Sequence, residues 1–248
     1  MNRVKPLPSL SVFFPAYNDA GSIGGLVERA NDVARALADD VEIIVVNDGS
    51  RDETAAVLQE LQTRLPTLRV ITHASNRGYG GALRSGFAAA RKDWVFYTDG
   101  DGQYDPAELS RLVTALRPGV DWVNGYKLVR RDPYIRILIG LAYNALVRAL
   151  FRIAIRDVDC DFRLIRRSRL EPIQLESDSG AICVELACQL HARFTTFAEV
   201  GIPHYHRRYG GSQFFNVHRV FDTGRQLIGL WRRLAARKHT AFAQHESG

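Results

Sequence analysis

The residues of this 248-residue chain best suited to chemistry are carboxylates set among glycines. Asp99 and Asp101 flank Gly100 and are followed by Gly102 and Gln103. Two carboxylates brought to one point by a flexible turn suit a hard divalent cation, Mg2+ or Mn2+, which prefers oxygen ligands; the Gln103 side-chain carbonyl offers a further ligand. The same residues also read as a turn with helix-capping potential, because Asp and Gly are common in turns. Asp48 precedes Gly49-Ser50. Its carboxylate can accept hydrogen bonds from a base or a ribose, while Ser50 or Asp52 caps the helix that follows. Asn76-Arg77-Gly78-Tyr79-Gly80-Gly81 is a glycine-rich stretch of the kind that lets backbone approach a phosphate at a helix N-terminus. It is a poor dinucleotide fingerprint: Leu83 would have to stand for the third glycine, and the stretch follows the third strand rather than the first.

The elements that must position these residues follow from hydrophobic patterning. Leu10–Phe14, Glu42–Val46, Leu68–Thr72 and Trp94–Thr98 read as strands buried on both faces. Helical patterns lie between and after them, at about Gly21–Leu37, Asp52–Arg64, Gly80–Arg91 and Asp105–Leu116. Strand then helix, repeated, predicts an α/β fold with a mostly parallel, Rossmann-like sheet flanked by helices and linked by right-handed crossovers. Ligands of such sheets bind beyond the carboxyl ends of the strands, where each of the stretches above falls.

In that order and spacing, Pro15-Ala16-Tyr17-Asn18, Asp48-Gly49-Ser50-x-Asp52-x-Thr54, Asn76-x-Gly78-x-Gly80 and Asp99-Gly100-Asp101-Gly102-Gln103 resemble family 2 glycosyltransferases with the GT-A fold. Within that family the dolichyl- or polyprenyl-phosphate mannose and glucose synthases are most similar. The resemblance implies inverting transfer of a hexose from GDP-mannose or UDP-glucose to a polyprenyl or dolichyl phosphate, with Mg2+ or Mn2+ as cofactor. It implies a nucleotide pocket lined by Pro15, Ala16, Tyr17, Asn18, Asp48, Asn76, Gly80, Asp99 and Gly100. It places the metal among Asp99, Asp101 and Gln103, Asp101 being the most direct ligand, and gives catalytic roles to Asp101, Arg136 and Arg207. Lys127, Arg136 and Arg163 are implied at the acceptor phosphate. Gly125-Tyr126-Lys127 resembles Gly-x-Arg, Asp157 to Arg163 resembles the Asp…Gly-Phe-Arg segment, and Arg207 to Ser212 resembles Arg-x-x-Gly-x-Ser. Lys127, Gly140, Asp161 and Gln213 depart from the family pattern. A phosphate acceptor needs no general base, so positioning suffices; a saccharide hydroxyl would need one, with Asp157, Asp159 or Glu185 as candidates.

The chain is read as one domain over residues 1–239, with a nucleotide-sugar and metal half at 9–125, an acceptor and membrane-facing half at 126–239, and a disordered tail at 240–248. Pro133–Ile153 has helical length, and Arg136, Gly140, Asn144, Arg148 and Arg152 recur at i+4 as one polar stripe. Val217–Lys238 is a second amphipathic helix. Either helix can pack on the sheet or a dimer partner, or lie on a membrane. No run reaches the roughly 20 apolar residues that span a bilayer, and the start lacks a secretory pattern. The net charge of +6 favours an anionic partner. Three cysteines without paired spacing fit a reduced compartment, so the expected place is the cytoplasmic face of a membrane, with a peripheral contact that a membrane-anchored partner can supply. His204 and His206 would share a strand face, whereas His73, His191 and His218 are isolated. Two other classes remain: a non-catalytic nucleotide-sugar-binding subunit, against which the Asp99/Asp101 pair argues, and a nucleic-acid binder, for which no module is present.

Overall fold

A computed structural model describes residues 5–128, 134–194, 196–207 and 224–234, the side chains of 134–139 excepted. Seven strands form one sheet: β1 (Leu7–Ala16), β2 (Ala38–Asn47), β3 (Leu68–Thr72), β4 (Trp94–Thr98), β5 (Trp122–Lys127), β6 (Phe162–Arg166) and β7 (Ala198–Ile202), in the order β3-β2-β1-β4-β6-β5-β7. β6 runs antiparallel to β4 and β5, and all other neighbours are parallel. The helices are α1 (Ala20–Leu37), α2 (Thr54–Arg64), α3 (Gly78–Ala89), α4 (Leu109–Thr114, entered through a 3-10 turn), α5 (Tyr134–Phe151), α6 (Ala181–Arg193) and α7 at 224–234. The α/β expectation holds.

The central strands are covered on both faces, and so carry continuous apolar runs. In β1, Leu10, Val12 and Phe14 point into one core, which α1 seals with Ile23, Leu26, Val27, Ala30 and Ala34 at helical spacing. The intervening Phe13 points into the other, with α3 and α6. Its ring lies 4.9 Å from Phe87 edge-on and 5.4 Å from Tyr97 in a stack.

The connections β1-α1-β2-α2-β3 step outward in one direction, and α3 returns to place β4 on the other side of β1. Strand order therefore reverses between β1 and β4. In open α/β sheets the ligand crevice lies beyond the carboxyl ends of two strands that diverge in this way, here at the loops of 15–19 and 99–103, which meet where Gly100 approaches the Pro15 carbonyl.

Two readings of the second half need correction. The i+4 series in α5 is not one stripe, because each step of four residues overshoots a full turn by about 40° and the series drifts about 160° in all. Asn144 faces inward and is buried, Arg148 faces solvent, and Arg152 lies beyond the helix at φ +53°. His204 and His206 do not share a strand, since β7 ends at Ile202.

Candidate active site

The loop after β1 is held in place by the loop after β2. Asn18 adopts φ +57°; its N–H donates to Ser50 Oγ at 3.0 Å, and its Oδ1 accepts from the Arg51 N–H at 2.8 Å. The Asp19 N–H donates to Thr54 Oγ1 at 3.0 Å, and the Ala20 N–H to Asp52 Oδ2 at 3.2 Å. Ser50 thus latches the neighbouring loop instead of capping α2. Asp52 does both, its Oδ1 also accepting from the Thr54 N–H at 3.0 Å. Pro15 and Ala16 are buried at the end of β1, and Tyr17 is half-buried beside them.

Asp99 and Asp101 follow β4 on the opposite wall. The Tyr79 hydroxyl donates to Asp99 Oδ1 at 2.6 Å, and the Gln103 N–H to Asp101 Oδ1 at 3.0 Å. Burial, with the negative charges of Asp161 and Asp101, pushes the Asp99 carboxyl well above the usual range. Burial also raises Asp101, against the opposing pull of the Gln103 N–H and Arg207. Asp19, from the loop after β1, faces them; burial lifts it to about 6 despite the Tyr17 N–H and Arg207. Arg207 bridges the walls, with Nη2 2.8 Å from Asp19 Oδ1 and Nη1 3.5 Å from Asp101 Oδ2. Its segment is positioned by Gln103, whose carbonyl accepts from the Tyr205 N–H at 2.9 Å and whose amide donates to the Tyr205 carbonyl at 3.2 Å.

These carboxylates suit a divalent cation. Crowding of negative charge raises their proton affinity, and added positive charge relieves it. Among the described residues no group of three or more His, Cys, Asp or Glu side chains gathers for a metal. Two carboxylates fit the habit of Mg2+, which takes few protein ligands and completes its shell with water and substrate phosphate.

Several expected roles are not what the geometry provides. Arg163 is fully buried. Its guanidinium donates to Asn124 Oδ1 at 2.7 Å, the Tyr97 hydroxyl at 2.7 Å, the Cys183 carbonyl at 3.2 Å and the Val158 carbonyl at 2.6 Å. It holds β6 to its neighbours and is closed to an acceptor phosphate. Gly80 does not offer its backbone to a ligand: its N–H donates to the Asp178 carbonyl at 2.9 Å, and a Cβ there would lie 2.0 Å from the Ser177 oxygen. Gly78 and Gly80 serve close packing of α3 on the segment at 177–178, and Gly81 makes room for the Arg77 side chain. Glu185, one of the candidate bases, is buried and accepts from the N–H groups of Glu176 and Ser177 at 3.1 and 2.9 Å. Asp157 is likewise buried, and receives the N–H groups of Lys127 and Asp159 at 3.4 and 3.2 Å. Asn76 is exposed, and its Oδ1 closes a turn with the Gly78 N–H at 3.1 Å. Lys127, by contrast, stands at the carboxyl end of β5, its amine 2.9 Å from the Asp159 carbonyl, and its expected role is not contradicted. The Arg136 side chain lies outside the described residues, as do Gln213, His218 and residues 240–248.

Three contributors were not anticipated from sequence: Asp19, Tyr79 and His73. His73 is not isolated; it is buried, with Nδ1 2.6 Å from Asp48 Oδ1 and Nε2 2.9 Å from Ser85 Oγ.

The model of one protein family, glycosyl transferase family 2, matches residues 11–172. The chain belongs to that family. Among curated proteins it is 31% identical over 216 residues to an undecaprenyl-phosphate 4-deoxy-4-formamido-L-arabinose transferase of Serratia proteamaculans, covering 86% of this chain and 65% of that protein. A protein of the same name from Pseudomonas fluorescens is 32% identical over 213 residues, covering 84% and 61%. The chain thus spans less than two thirds of the length of these relatives. Among solved structures, glucosyl-3-phosphoglycerate synthase of Mycobacterium tuberculosis in complex with Mn2+, UDP and glucosyl-3-phosphoglycerate superposes with a TM-score of 0.70 at 20% identity, over 90% of this chain and 78% of that one. The same enzyme with Mg2+ and UDP gives 0.68 at 19% identity, over 90% and 78%. The family 2 resemblance and the GT-A fold read from sequence both hold.

Proposed function

We propose that this family 2 glycosyltransferase moves a sugar from a nucleotide sugar to a polyprenyl phosphate at a membrane surface, with inversion at the anomeric carbon. The observation that carries the reading is the Asp99/Asp101 pair opposite Asp48 and Asn18 across the β1/β4 crevice, with Arg207 at its mouth. The names of the relatives support the acceptor class. Asp99 and Asp101 would hold Mg2+ or Mn2+, with Gln103 in reach of the same loop; bound there, the ion would neutralise charge developing on the leaving diphosphate.

The chain's own residues account for the remainder. The latched 15–19 loop and Asp48 hold the nucleoside, so the donor is fixed before the acceptor arrives. Arg207 presents a fixed fork of donors to phosphate oxygens, as guanidinium groups do. Lys127, together with Arg136, meets the acceptor phosphate, whose oxygen is already anionic and attacks without a base. The donor is GDP-mannose, UDP-glucose or, as the relatives' names suggest, a nucleoside-diphosphate 4-deoxy-4-formamido-L-arabinose. The site works at the cytoplasmic face of the membrane.

One observation favours a second reading, a saccharide hydroxyl as acceptor. Burial raises Asp159 to about 7 against the pull of Lys127, which is where a general base works best.

Nucleoside diphosphate release from these donors, with Mn2+ and either undecaprenyl phosphate or oligosaccharides, tests both readings. Lipid-dependent release that falls at least about a hundredfold in Asp101→Asn is expected. Release driven by saccharides and lost in Asp159→Asn transfers the acceptor to a hydroxyl. Absence of turnover with every donor, while nucleotide still binds, leaves a binding subunit.

A further inference from the structure

We propose that His73, backed by Ser85, positions the Asp48 carboxylate toward the nucleobase and so enforces a base that carries a ring N–H donor. The inference rests on the nucleotide-sugar reading and adds a positioning residue to it.

The side chains of Asp48 and His73 are 4% and 6% exposed. Asp48 Oδ1 is held from two directions, by His73 Nδ1 at 2.6 Å and by the Arg77 N–H at 2.8 Å. A ring nitrogen that close to a carboxylate oxygen carries the proton, so Nδ1 donates, and in the neutral ring Nε2 accepts the Ser85 hydroxyl proton at 2.9 Å. The result is a chain from α3 through the ring to the end of β2.

The backbone makes that chain rigid. The His73 N–H donates to the Asn47 carbonyl at 2.9 Å, which extends the β2/β3 pairing one residue past β3 and brings the ring level with Asp48. Gly49 sits at φ +69°, where a Cβ would come 2.7 Å from the Asn76 nitrogen, so the two loops touch through backbone.

Asp48 Oδ2 differs from its twin. Among the described residues no hydrogen bond reaches it, and it is not among the unpartnered atoms sealed from solvent, so it is open to a ligand. With Oδ1 pinned twice, rotation of the carboxylate is stopped and the direction of Oδ2 is set. A carboxylate oxygen only accepts hydrogen bonds. It pairs with the ring N–H of uracil or guanine and opposes the ring lone pair that cytosine or adenine presents at the corresponding edge. A mobile carboxylate would discriminate less, because it could turn away from the wrong base.

Calorimetric titration of the full chain with UDP, GDP, CDP and ADP in Mn2+ tests this without acceptor or turnover. Native protein is expected to bind UDP or GDP at least about tenfold more tightly than CDP and ADP. His73→Phe keeps the ring volume but loses the donor, and should weaken the preferred nucleotide about tenfold or more, raising the donor KM while kcat at saturating donor changes little. His73→Asn returns an amide N–H near Nδ1 and should recover affinity to within about threefold of native. Folded His73→Phe with native affinity and selectivity overturns the inference. If both His73 variants fail to fold, Ser85→Ala decides: a loss of about threefold supports the relay, and unchanged affinity removes it. Native protein that binds no nucleotide overturns the functional reading, and this inference with it.

Discussion

The carboxylates divide by what surrounds them more than by what the sequence places beside them. Asp19 and Asp159, lifted to about 6 and about 7 mainly by burial, bind protons more tightly in the folded chain than unfolded. The sign follows: the native state holds more protons across the window from about pH 4 to 7, so stability falls as pH rises through it. Asp159→Asn should therefore stabilise the metal-free protein at pH 8 by about 1–3 kcal/mol and do little at pH 4; urea melts at the two pH values measure the difference. Arg163 makes the opposite case. With four hydrogen bonds and no exposure, Arg163→Leu strands Asn124 Oδ1 and the Val158 carbonyl and takes a donor from the Tyr97 hydroxyl and the Cys183 carbonyl. A loss of about 3–5 kcal/mol in a denaturant melt is expected. Its sequence neighbourhood resembled the family's acceptor-side segment because an arginine that follows a run of aspartates looks the same whether it faces a crevice or a core. The same limit hid His73: its partners Asp48 and Ser85 lie 25 and 12 residues away, and only the β2/β3 pairing and the packing of α3 on the sheet bring them together.

Among the elements, legibility followed the apolar pattern. β3 and β4 run over the residues whose β-branched and aromatic content marks them, whereas β1 and β2 extend beyond the expected spans through Leu7 and Ala38, which pair with each other. That extension comes from pairing, which composition does not carry. β6 was hidden for a related reason: it enters between β4 and β5 antiparallel, a topology that short apolar runs leave open. The glycine-rich stretch gives a test at this scale. Gly80→Ala must push α3 off the 177–178 backbone and should cost about 1–3 kcal/mol. Gly25→Ala, in the exposed middle of α1 with nothing within 4 Å of the new Cβ, should stabilise by about 0.5–1 kcal/mol. Matched stability in the two variants would remove the packing account of Gly80.

For the whole molecule, the second half presents several large apolar side chains to solvent beside its exposed arginines. On α5, Leu141 and Leu146 are 57% and 63% exposed while Asn144 is buried against Asp157, 3.4 Å away. On α7, Leu227 and Leu230 enter the core and leave Ile228 and Trp231 on the surface at 53% and 43%. No helix among the described residues is long and apolar enough to cross a membrane. Exposed leucines and a tryptophan on a chain of net charge +6 match what an anionic lipid surface takes up: apolar side chains at the acyl boundary and cations near the headgroups. Trp231 reports on this directly, because Trp94 and Trp122, the other two tryptophans, are buried. Vesicles containing phosphatidylglycerol should shift its emission to the blue and sediment with the protein. Leu141→Gln combined with Leu146→Gln should weaken that binding about tenfold, with nucleotide affinity unchanged if both side chains serve the lipid contact alone. Raised salt should weaken binding of native protein and double variant alike, since it screens only the charge contribution. Native and double variant sedimenting equally at low salt would leave charge as the whole attraction and assign these side chains to a protein contact instead.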